Sequence, residues 1–441
     1  SYSKEKSKTC STCEEDTYST QSGAKVCTTC RTFSGTKNKT GSTSESACIC
    51  DDGYHSVGKG CKPCPEHAVC KGGLAQTQKG YWRYENSSKR YPCEDISVCL
   101  QNDKCAPNNK GPLCAACKEG TYKQVGAGIC IACYDFVGLS YLFMVLVLIV
   151  GGGLLALVTK MTIAGGGKSS AVDVVIGKIA INHLIIASSA RLFPLKWPGF
   201  VNTFFSVMTI MSASAVGESG LSMSCIMRNH ASMKPVQSWA LVVTVLIPVL
   251  VATQVLFWKV RKYMKGARIS VMITLLLAHP TITKAAISLI ACRKVASKAY
   301  LHADMNIECY TPEYNAWLGL ALPMLFVYSV GIPLTYFLIL RWHVSKKTRL
   351  KQTNRDIFGY LTSGYNDETY WFELWNTVRK AMFTAFSLIF APLGVHMQTW
   401  IAMMLLLLYL LFFMYTSPYT EDYLNDLEKL ALAVDALTLL S

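Results

Sequence analysis

Two contrasting patterns of hydrophobic and polar positions follow one another along the chain. Residues 1–133 alternate polar and small residues with isolated apolar ones and contain no long apolar run. From residue 135 onward, runs of the roughly 20 apolar residues that an α-helix needs to cross a bilayer recur. The pattern predicts a loop- and strand-rich module at 1–133 and a multi-pass α-helical transmembrane domain at 134–441. The candidate spans are 135–159, 172–191, 199–217, 237–258, 269–291, 316–340, 371–391, 397–416 and one that begins near residue 427.

The spacing of cysteines defines the N-terminal module. All but three of the 19 cysteines lie within residues 1–133, mostly as Cys-x2-Cys pairs. The stretches CSTCEEDTYSTQSGAKVCTTC and CAACKEGTYKQVGAGICIAC repeat one order of cysteine pairs, Thr-Tyr and glycine. Units this short bury too little apolar area to fold alone, so we expect disulfides. The predicted disulfide cysteines are Cys10, Cys13, Cys27, Cys30, Cys48, Cys50, Cys61, Cys64, Cys70, Cys93, Cys99, Cys105, Cys114, Cys117, Cys130, Cys133, Cys225 and Cys309.

A zinc-bound module is the alternative, because paired Cys-x2-Cys is also the spacing of zinc ribbons. The even number of cysteines and the span that follows them favour disulfides instead. The module also carries two N-glycosylation sequons, at Asn38 and Asn86. These features predict an extracellular or lumenal glycoprotein module, with no metal and no cofactor.

The basic residues predict the orientation of the spans. The chain carries a net charge of +15, and its basic clusters at 259–268 and 341–355 lie beside apolar spans. Such clusters are typical of cytoplasmic loops, so we expect no nucleic-acid partner. Only one of the segments 172–191 and 199–217 can then cross completely, and 199–217 is the better candidate for the incomplete one. Cys225, Cys292 and Cys309 then lie near the outer face, where Cys225–Cys309 and Cys292–Cys309 are the possible disulfides.

Ionisable residues inside the spans are costly and are therefore candidate functional residues. They include Lys178, His183, His279 and Lys284. Glu373, Asn376 and Lys380 share one helical face, whereas Arg379 lies about 80° away from it. Three interpretations of this last group stay open: anchoring at the interface with snorkelling side chains, a gating or interhelical salt bridge through Glu373, and a pore lining.

Three further stretches carry predictions. Gly331 and Pro333 fall mid-span and predict a kink or hinge. Asp304 and Glu308 lie in an outer loop, where they would attract cations to a pore mouth or belong to a solvated loop tied by Cys309. Asp426 and Glu428 begin the last span, as acids that cap a helix N-terminus do.

Two family resemblances follow from these motifs. Residues 9–133 resemble ephrin-receptor-like cysteine-rich repeats, with a looser likeness to EGF modules, which implies an extended stalk. KIAINHLIIASSARLFPLKWPGF, YLHADMNIECYTPEY, VYSVGIPLTYF, FGYLTSGYNDETYWFELWNTVRKAMF and NDLEKLALAV resemble large protist and algal membrane proteins with a TRP-like (transient-receptor-potential-like) domain. The most specific piece is Tyr365, Tyr370, Trp371, Glu373, Arg379 and Lys380. The resemblance implies a cation channel or a related sensor.

These observations leave three functions open. The first is a cation channel or channel-related sensor, although 391–398 is too short for an acidic re-entrant filter loop. The second is a non-conducting anchor, adhesion or assembly subunit, and the third is a secondary transporter. We expect no enzyme, because hydrolase, metalloprotease, P-loop and kinase motifs are missing from the sequence. The expected partners are the lipid bilayer and proteins bound through the ectodomain or as a homo-oligomer, and we expect the chain to be a fragment of a longer one.

Overall fold

The computed structural model describes most of the chain. It covers residues 11–133 except 86 and 124–127, then 172–190, 234–345, 358–390 and 393–439, with scattered positions between 142 and 163 and between 193 and 225. The chain divides into two compact units, which we call the cysteine-rich unit (Ser1–Ala115) and the helical unit (Ala116–Ser441). The last cysteine-rich hairpin is part of the helical unit, and the domain boundary predicted after residue 133 stays a prediction.

The cysteine-rich unit consists of short antiparallel hairpins. Its strands are β1 (Thr17–Tyr18), β2 (Thr28–Thr29), β3 (Ser34–Gly35), β4 (Ile49–Cys50), β5 (Tyr54–Val57), β6 (Gly60–Pro63), β7 (Ala68–Lys71), β8 (Leu74–Thr77), β9 (Tyr81–Arg83), β10 (Arg90–Pro92) and β11 (Asn109–Lys110). The strands pair as β1–β2, β3–β4, β5–β6, β7–β8 and β9–β10. Many of the buried apolar side chains are cysteines, so covalent links replace the large core that so short a chain cannot build.

Except for Cys133–Cys225, the disulfides among the described residues join cysteines that are near one another in sequence. In the cysteine-rich unit they are Cys13–Cys27, Cys30–Cys48, Cys50–Cys61, Cys64–Cys70, Cys93–Cys99 and Cys105–Cys114. The helical unit contains Cys117–Cys130, Cys133–Cys225 and Cys292–Cys309. The pairing Cys225–Cys309 that the sequence left open is therefore wrong, since Cys225 binds Cys133. Cys10 lies outside the described residues.

The helical unit combines one hairpin, one small sheet and a set of long helices. Its strands are β12 (Ala116–Cys117), β13 (Thr121–Lys123), β14 (Cys130–Ala132), β15 (Cys292–Val295), β16 (Lys298–Leu301) and β17 (Asp304–Glu308). Its helices are α1 (Val172–Ala190), α2 (Pro235–Val260), α3 (Met264–Ser288), α4 (Pro312–Pro323), a π-helix (Met324–Gly331), α5 (Ile332–Ser345), α6 (Phe372–Ile389), α7 (Val395–Thr416) and α8 (Asp422–Thr438).

Within the described ranges, four helices are long and apolar enough to cross a membrane. They are Val236–Val260, Met264–Ser288, Pro312–Trp342 and Val395–Thr416. The first and third of these are largely exposed on the folded chain, as lipid-facing helices are. The predicted fold class is confirmed: a disulfide-rich module of small strands precedes a helical region with membrane-span-capable helices. The oxidised cysteines and these helices together fit a membrane protein.

The helices run between two ends of the helical unit. The disulfide end carries Cys133–Cys225 and the sheet β15–β17, which is closed by Cys292–Cys309 and contacts β12. The turn end is the connection between α2 and α3 at 261–263. A Cβ on Gly266 would come within 2.6 Å of the Trp258 ring, so glycine permits this close approach of the two helices.

The direction of α1 shows at which end of the helical unit the chain enters segment 199–217, the span that was predicted to be incomplete. Val174, near the start of α1, packs in one cluster with Ile269, which follows the turn end. Ala190, at the end of α1, packs with Phe383 further along α6. The chain therefore leaves α1 at the disulfide end, where α2 also begins with Val236 packed beside Cys309. Segment 199–217 itself lies outside the described residues.

Candidate functional site: a buried polar network

The ionisable side chains of the apolar helices converge on α6. This helix contacts α1, α3, α5 and α7, so polar groups on several of its faces meet other helices. We call the resulting set of contacts the polar network. Its members are Lys178, Asn182 and His183 of α1, Tyr365, Glu373, Asn376, Arg379 and Lys380 of α6 and the loop before it, Tyr409 of α7, and Glu428 and Asp435 of α8.

The network begins with a lysine and a glutamate near the turn end. Lys178 Nζ lies 4.0 Å from Glu373 Oε2 and donates to the Ser363 carbonyl at 3.2 Å. The same ammonium lies 5.1 Å from the centre of the Tyr365 ring, within the range of a cation–π contact. The Tyr365 hydroxyl donates to Glu373 Oε2 at 2.8 Å. Both charged side chains are almost fully buried, so these contacts replace their hydration.

Two tyrosines and an asparagine continue the network toward α7. Asn376, which is fully buried, donates through Nδ2 to the Tyr365 hydroxyl at 3.1 Å. The Tyr409 hydroxyl donates to Asn376 Oδ1. The asparagine thus uses its amide donor and its acceptor at once, and it joins the loop before α6 to α7.

The centre of the network is an ion pair between α6 and α8. Arg379 donates through one terminal nitrogen to Glu428 Oε1 at 3.0 Å, and the two side chains are only 5% and 2% exposed. The guanidinium carbon also lies 4.2 Å from the centre of the Tyr409 ring. Arg379 Nε and Glu428 Oε2 have no hydrogen-bond partner among the described residues. The pair is therefore held by one strong contact and retains unused hydrogen-bonding capacity.

Two further contacts connect α1 to this centre. His183 Nδ1 lies 2.9 Å from Asp435 Oδ1 on α8, and the histidine side chain remains 26% exposed. Lys380 donates to Asn182 Oδ1 at 2.8 Å. Because α1 contacts both α6 and α8 through polar groups, the network ties together helices that are far apart in sequence.

The charges of the network balance. Three bases (Lys178, Arg379, Lys380) face three acids (Glu373, Glu428, Asp435), all with less than 9% exposed surface. Moving one such charge from water into a low-dielectric interior costs several kcal/mol unless it is paired. Pairing each base with an acid therefore offsets the cost of burying these charges. Removing one member of a pair leaves its partner as a buried charge without a counter-charge.

The structure corrects two interpretations of these residues. Arg379 and Lys380 do not snorkel to an interface, since they are 7% and 4% exposed and bind other helices. Glu428 is not a solvated cap of α8, because it is 1% exposed and pairs with Arg379. Asp426 does lie at the surface, where it pairs with Lys429 at 3.0 Å.

Sequence reasoning missed Asn182, Tyr409 and Asp435. Asp435 carried a usable signal, since it follows Glu428 by seven residues and therefore lies on the same face of α8. Asn182 similarly follows Lys178 by four residues on α1. Tyr409 carried none, because a tyrosine in an apolar span is common whether or not its hydroxyl meets a partner.

A second polar contact lies where the π-helix meets α5. Pro333 has no backbone N–H, so the Ser329 carbonyl, four residues earlier, loses its α-helical donor. His279 Nε2 of α3 lies 2.8 Å from this carbonyl oxygen, and it must carry the proton because the carbonyl can only accept. Thr283 donates to the Ser329 hydroxyl at 2.8 Å. Gly331 and Pro333 thus lie at a break in α-helical geometry, and their role as a hinge stays a prediction.

The acids predicted for an outer loop lie in the sheet β15–β17. Glu308 pairs with Lys298 at 2.9 Å on the surface. Asp304 accepts from the backbone and side chain of Asn306, each at 3.0 Å, and burial raises the pKa of its carboxyl. This arrangement is the loop tied by Cys309 rather than a ring of free acids.

The two predicted glycosylation sites lie in the cysteine-rich unit. Asn38 is exposed, whereas Asn86 lies outside the described residues. In the part of the chain that the structure describes, no three His, Cys, Asp or Glu side chains converge as a metal site would require.

The chain is similar to cysteine repeat modular protein A of Toxoplasma gondii. The two are 21% identical over 546 residues, a match that covers 96% of this chain and 17% of the relative. The chain therefore spans less than a fifth of the length of that curated relative, and the match includes both the cysteine-rich unit and the helical unit. No protein-family model matches, and no solved structure matches. The ephrin-receptor-like, EGF-like and TRP-like resemblances therefore stay predictions.

Proposed function

We propose that this chain is a channel-related membrane sensor whose cysteine-rich ectodomain lies outside the cytoplasm. Its disulfides support this orientation, because they persist in extracellular and lumenal compartments. The basic cluster at 259–268 lies at the turn end, and the positive-inside rule places such a cluster in the cytoplasm. In this orientation the disulfide end of the helical unit lies on the extracellular or lumenal side of the membrane.

The observation that carries the proposal is the polar network. Six ionisable side chains are buried between helices of a membrane protein, where such residues are rare and are typically functional. Arg379 Nε, Glu428 Oε2 and Asn182 Nδ2 lack hydrogen-bond partners in the described part of the chain. Unused donors and acceptors next to ion pairs allow the pairs to re-form in a second arrangement. A shift of α8 or α1 relative to α6 would therefore exchange partners within the network, and this exchange is the proposed sensing step.

Ion conduction in this proposal occurs between copies of the chain. The polar side chains of α6 contact α1, α7 and α8 of the same chain, so they hold the bundle together rather than surround a water-filled path. Apolar exposed side chains on α2, α5 and α7 remain available for lipid or for neighbouring copies.

Reconstitution into liposomes tests the proposal. We expect a cation flux that responds to membrane stretch, voltage or calcium. Glu373→Gln, which weakens the contact with Lys178, should change the threshold of the response, whereas Asp426→Asn at the exposed pair of α8 should not. Protein that inserts and folds but passes no ions under any of these stimuli would contradict conduction by this chain.

An anchoring or assembly role is the second candidate. It is favoured by the charge-balanced network, whose described members bind one another across α1, α6, α7 and α8 and so stabilise the helical unit. The expected result for this role is a stoichiometric protein complex recovered with the intact chain and lost on deletion of residues 1–115, the cysteine-rich unit. A deletion variant that retains every partner would contradict it.

A further inference from the structure

The last two turns of α2 carry a shallow groove with a basic rim. Its volume is about 380 Å³, within the roughly 300–1,000 Å³ of ligand pockets. The lining residues are Thr253, Leu256, Phe257, Val260 and Arg261. Leu256 and Val260 are 62% and 75% exposed, so the apolar part of the groove opens on the outside of the helical unit. In a bilayer that outside faces lipid, and an acyl chain can lie along the groove.

Arg261 lies at the turn end of this groove and presents an accessible positive charge. The residue is exposed, and its guanidinium carbon lies 4.7 Å from the centre of the Phe257 ring. Among the described residues, no acid and no hydrogen-bond acceptor binds this guanidinium. The charge at the rim is therefore neither buried nor neutralised, and an anion from outside the chain can reach it.

Four further basic residues surround the turn. They are Lys259, Lys262, Lys265 and Arg268, and all but Lys265 are exposed. The sequence contains no acid between Glu218 and Asp304, so neither α2 nor α3 supplies a counter-charge. Within the described ranges, acids of other elements form no ion pair with the three exposed members either. The turn end of α2 and α3 is therefore a concentrated positive surface at the end of an apolar span.

The turn holds these charges in one arrangement. Lys262 has a φ of +53°, and the Tyr263 N–H donates to the Trp258 carbonyl at 3.0 Å. The rings of Trp258 and Tyr263 also pack with their centres 5.9 Å apart. A cluster fixed in this way loses less conformational freedom on binding than a flexible basic segment does, so it favours a bound ligand over diffuse attraction.

We propose that this site binds an acidic phospholipid of the bilayer, with an acyl chain along the groove and the head group on Arg261 and Lys262. Arginine and lysine both bind phosphate oxygens, and basic clusters beside membrane spans attract lipids with a net negative head group. A soluble acidic peptide would meet the same charges but would leave the lipid-facing apolar part of the groove unmatched. The inference depends neither on ion conduction nor on the orientation of the chain, since it needs only a bilayer around α2.

Photolabelling of the full chain in lipid nanodiscs tests the proposal. The two probes are a phosphatidylserine and a phosphatidylcholine that carry the same diazirine-bearing acyl chain, and mass spectrometry maps the labelled peptides. Because two cations contact one head group, we expect phosphatidylserine to label residues 253–261 about tenfold more strongly than phosphatidylcholine does. Unlabelled phosphatidylserine should compete this labelling away. Equal labelling of 253–261 by the two probes would overturn the proposal.

Two charge variants separate a local site from general attraction to an acidic membrane. Arg261→Gln combined with Lys262→Gln removes both head-group contacts. Lys346→Gln combined with Lys347→Gln removes the same charge from the second basic cluster at 341–355. Phosphatidylserine labelling of 253–261 should fall about tenfold in the first variant and stay within about twofold in the second. Equal falls in the two variants would refute a site at the turn end.

A second pair of variants tests the groove while every charge stays in place. Leu256→Trp fills the groove, whereas Val245→Trp changes a residue of α2 that is similarly exposed (55%) and lies outside it. Phosphatidylserine labelling of 253–261 should fall about tenfold in the first variant and stay within about twofold in the second. Labelling that survives Leu256→Trp unchanged would show that the acyl chain does not occupy the groove, and it would overturn the proposal.

Discussion

The ion pair between Arg379 and Glu428 permits a quantitative test of the polar network. Glu428→Gln removes the negative charge and leaves the guanidinium of Arg379 buried without a counter-charge. Losing one partner of a buried pair costs about 3–5 kcal/mol. Glutamine retains one neutral acceptor, and the Tyr409 ring 4.2 Å away remains, so we expect a loss of about 3 kcal/mol, at the lower end of that range.

The same helix supplies a matched control. Asp426 and Lys429 also lie 3.0 Å apart, but their side chains are 74% and 36% exposed. Exposed pairs contribute about 0–1 kcal/mol, so Asp426→Asn should change the free energy of unfolding by less than about 1 kcal/mol. The two substitutions remove the same charge at the same distance, from a buried pair between two helices and from an exposed pair within one helix.

A double substitution separates pairing from packing. Arg379→Met combined with Glu428→Leu replaces both charges by apolar side chains of similar size, a change that is often neutral or stabilising in buried pairs. We expect the double variant to be more stable than Glu428→Gln alone, as measured by reversible unfolding in mixed detergent micelles. Equal losses for Glu428→Gln and Asp426→Asn, or a double variant that is less stable than Glu428→Gln, would refute the reasoning.

Three further predictions use the same unfolding measurement. His279→Leu removes the donor to the Ser329 carbonyl and should lower the free energy of unfolding by about 1–3 kcal/mol. Adding Pro333→Ala should restore a backbone N–H for this carbonyl and recover stability. If stability does not recover, His279 is not the replacement donor for the Ser329 carbonyl. Gly364→Ala should cost about 1–3 kcal/mol, because φ is +86° and the new Cβ would lie 2.4 Å from Val175. Gly359→Ala, whose new Cβ would make only an ordinary 3.9 Å contact with Ser363 Oγ, should be nearly neutral, and similar effects of the two substitutions would refute the argument. Burial raises the pKa of Asp304 above 3.8, so its contribution to stability is present below that pH and is lost as the pH rises through the raised value. Asp304→Asn should therefore exceed the wild type in stability near neutral pH and match it in acid, and a difference that does not depend on pH would contradict this.

The broad organisation of the chain could be predicted from sequence because it depends on local pattern. Apolar runs long enough to span a bilayer marked Val236–Val260, Met264–Ser288, Pro312–Trp342 and Val395–Thr416. Closely spaced cysteines marked the disulfide-rich module, whose links within the cysteine-rich unit join residues only 6 to 18 positions apart. Hydropathy and the number of residues between neighbouring cysteines are properties of short segments, so each segment can be interpreted without knowing the rest of the fold.

The pairing of distant residues was decided by the tertiary structure. Cys133 binds Cys225 across 92 positions, and no spacing rule distinguishes this pairing from those that the sequence favoured. Glu428 resembled a helix cap, and Arg379 lay off the face shared by Glu373, Asn376 and Lys380. Because α6 is surrounded by α1, α3, α5 and α7, several of its faces are buried, and a charge on any of them needs a partner. A helical pattern specifies which residues share a face, whereas only the packing of helices determines which faces meet and which charges therefore become paired.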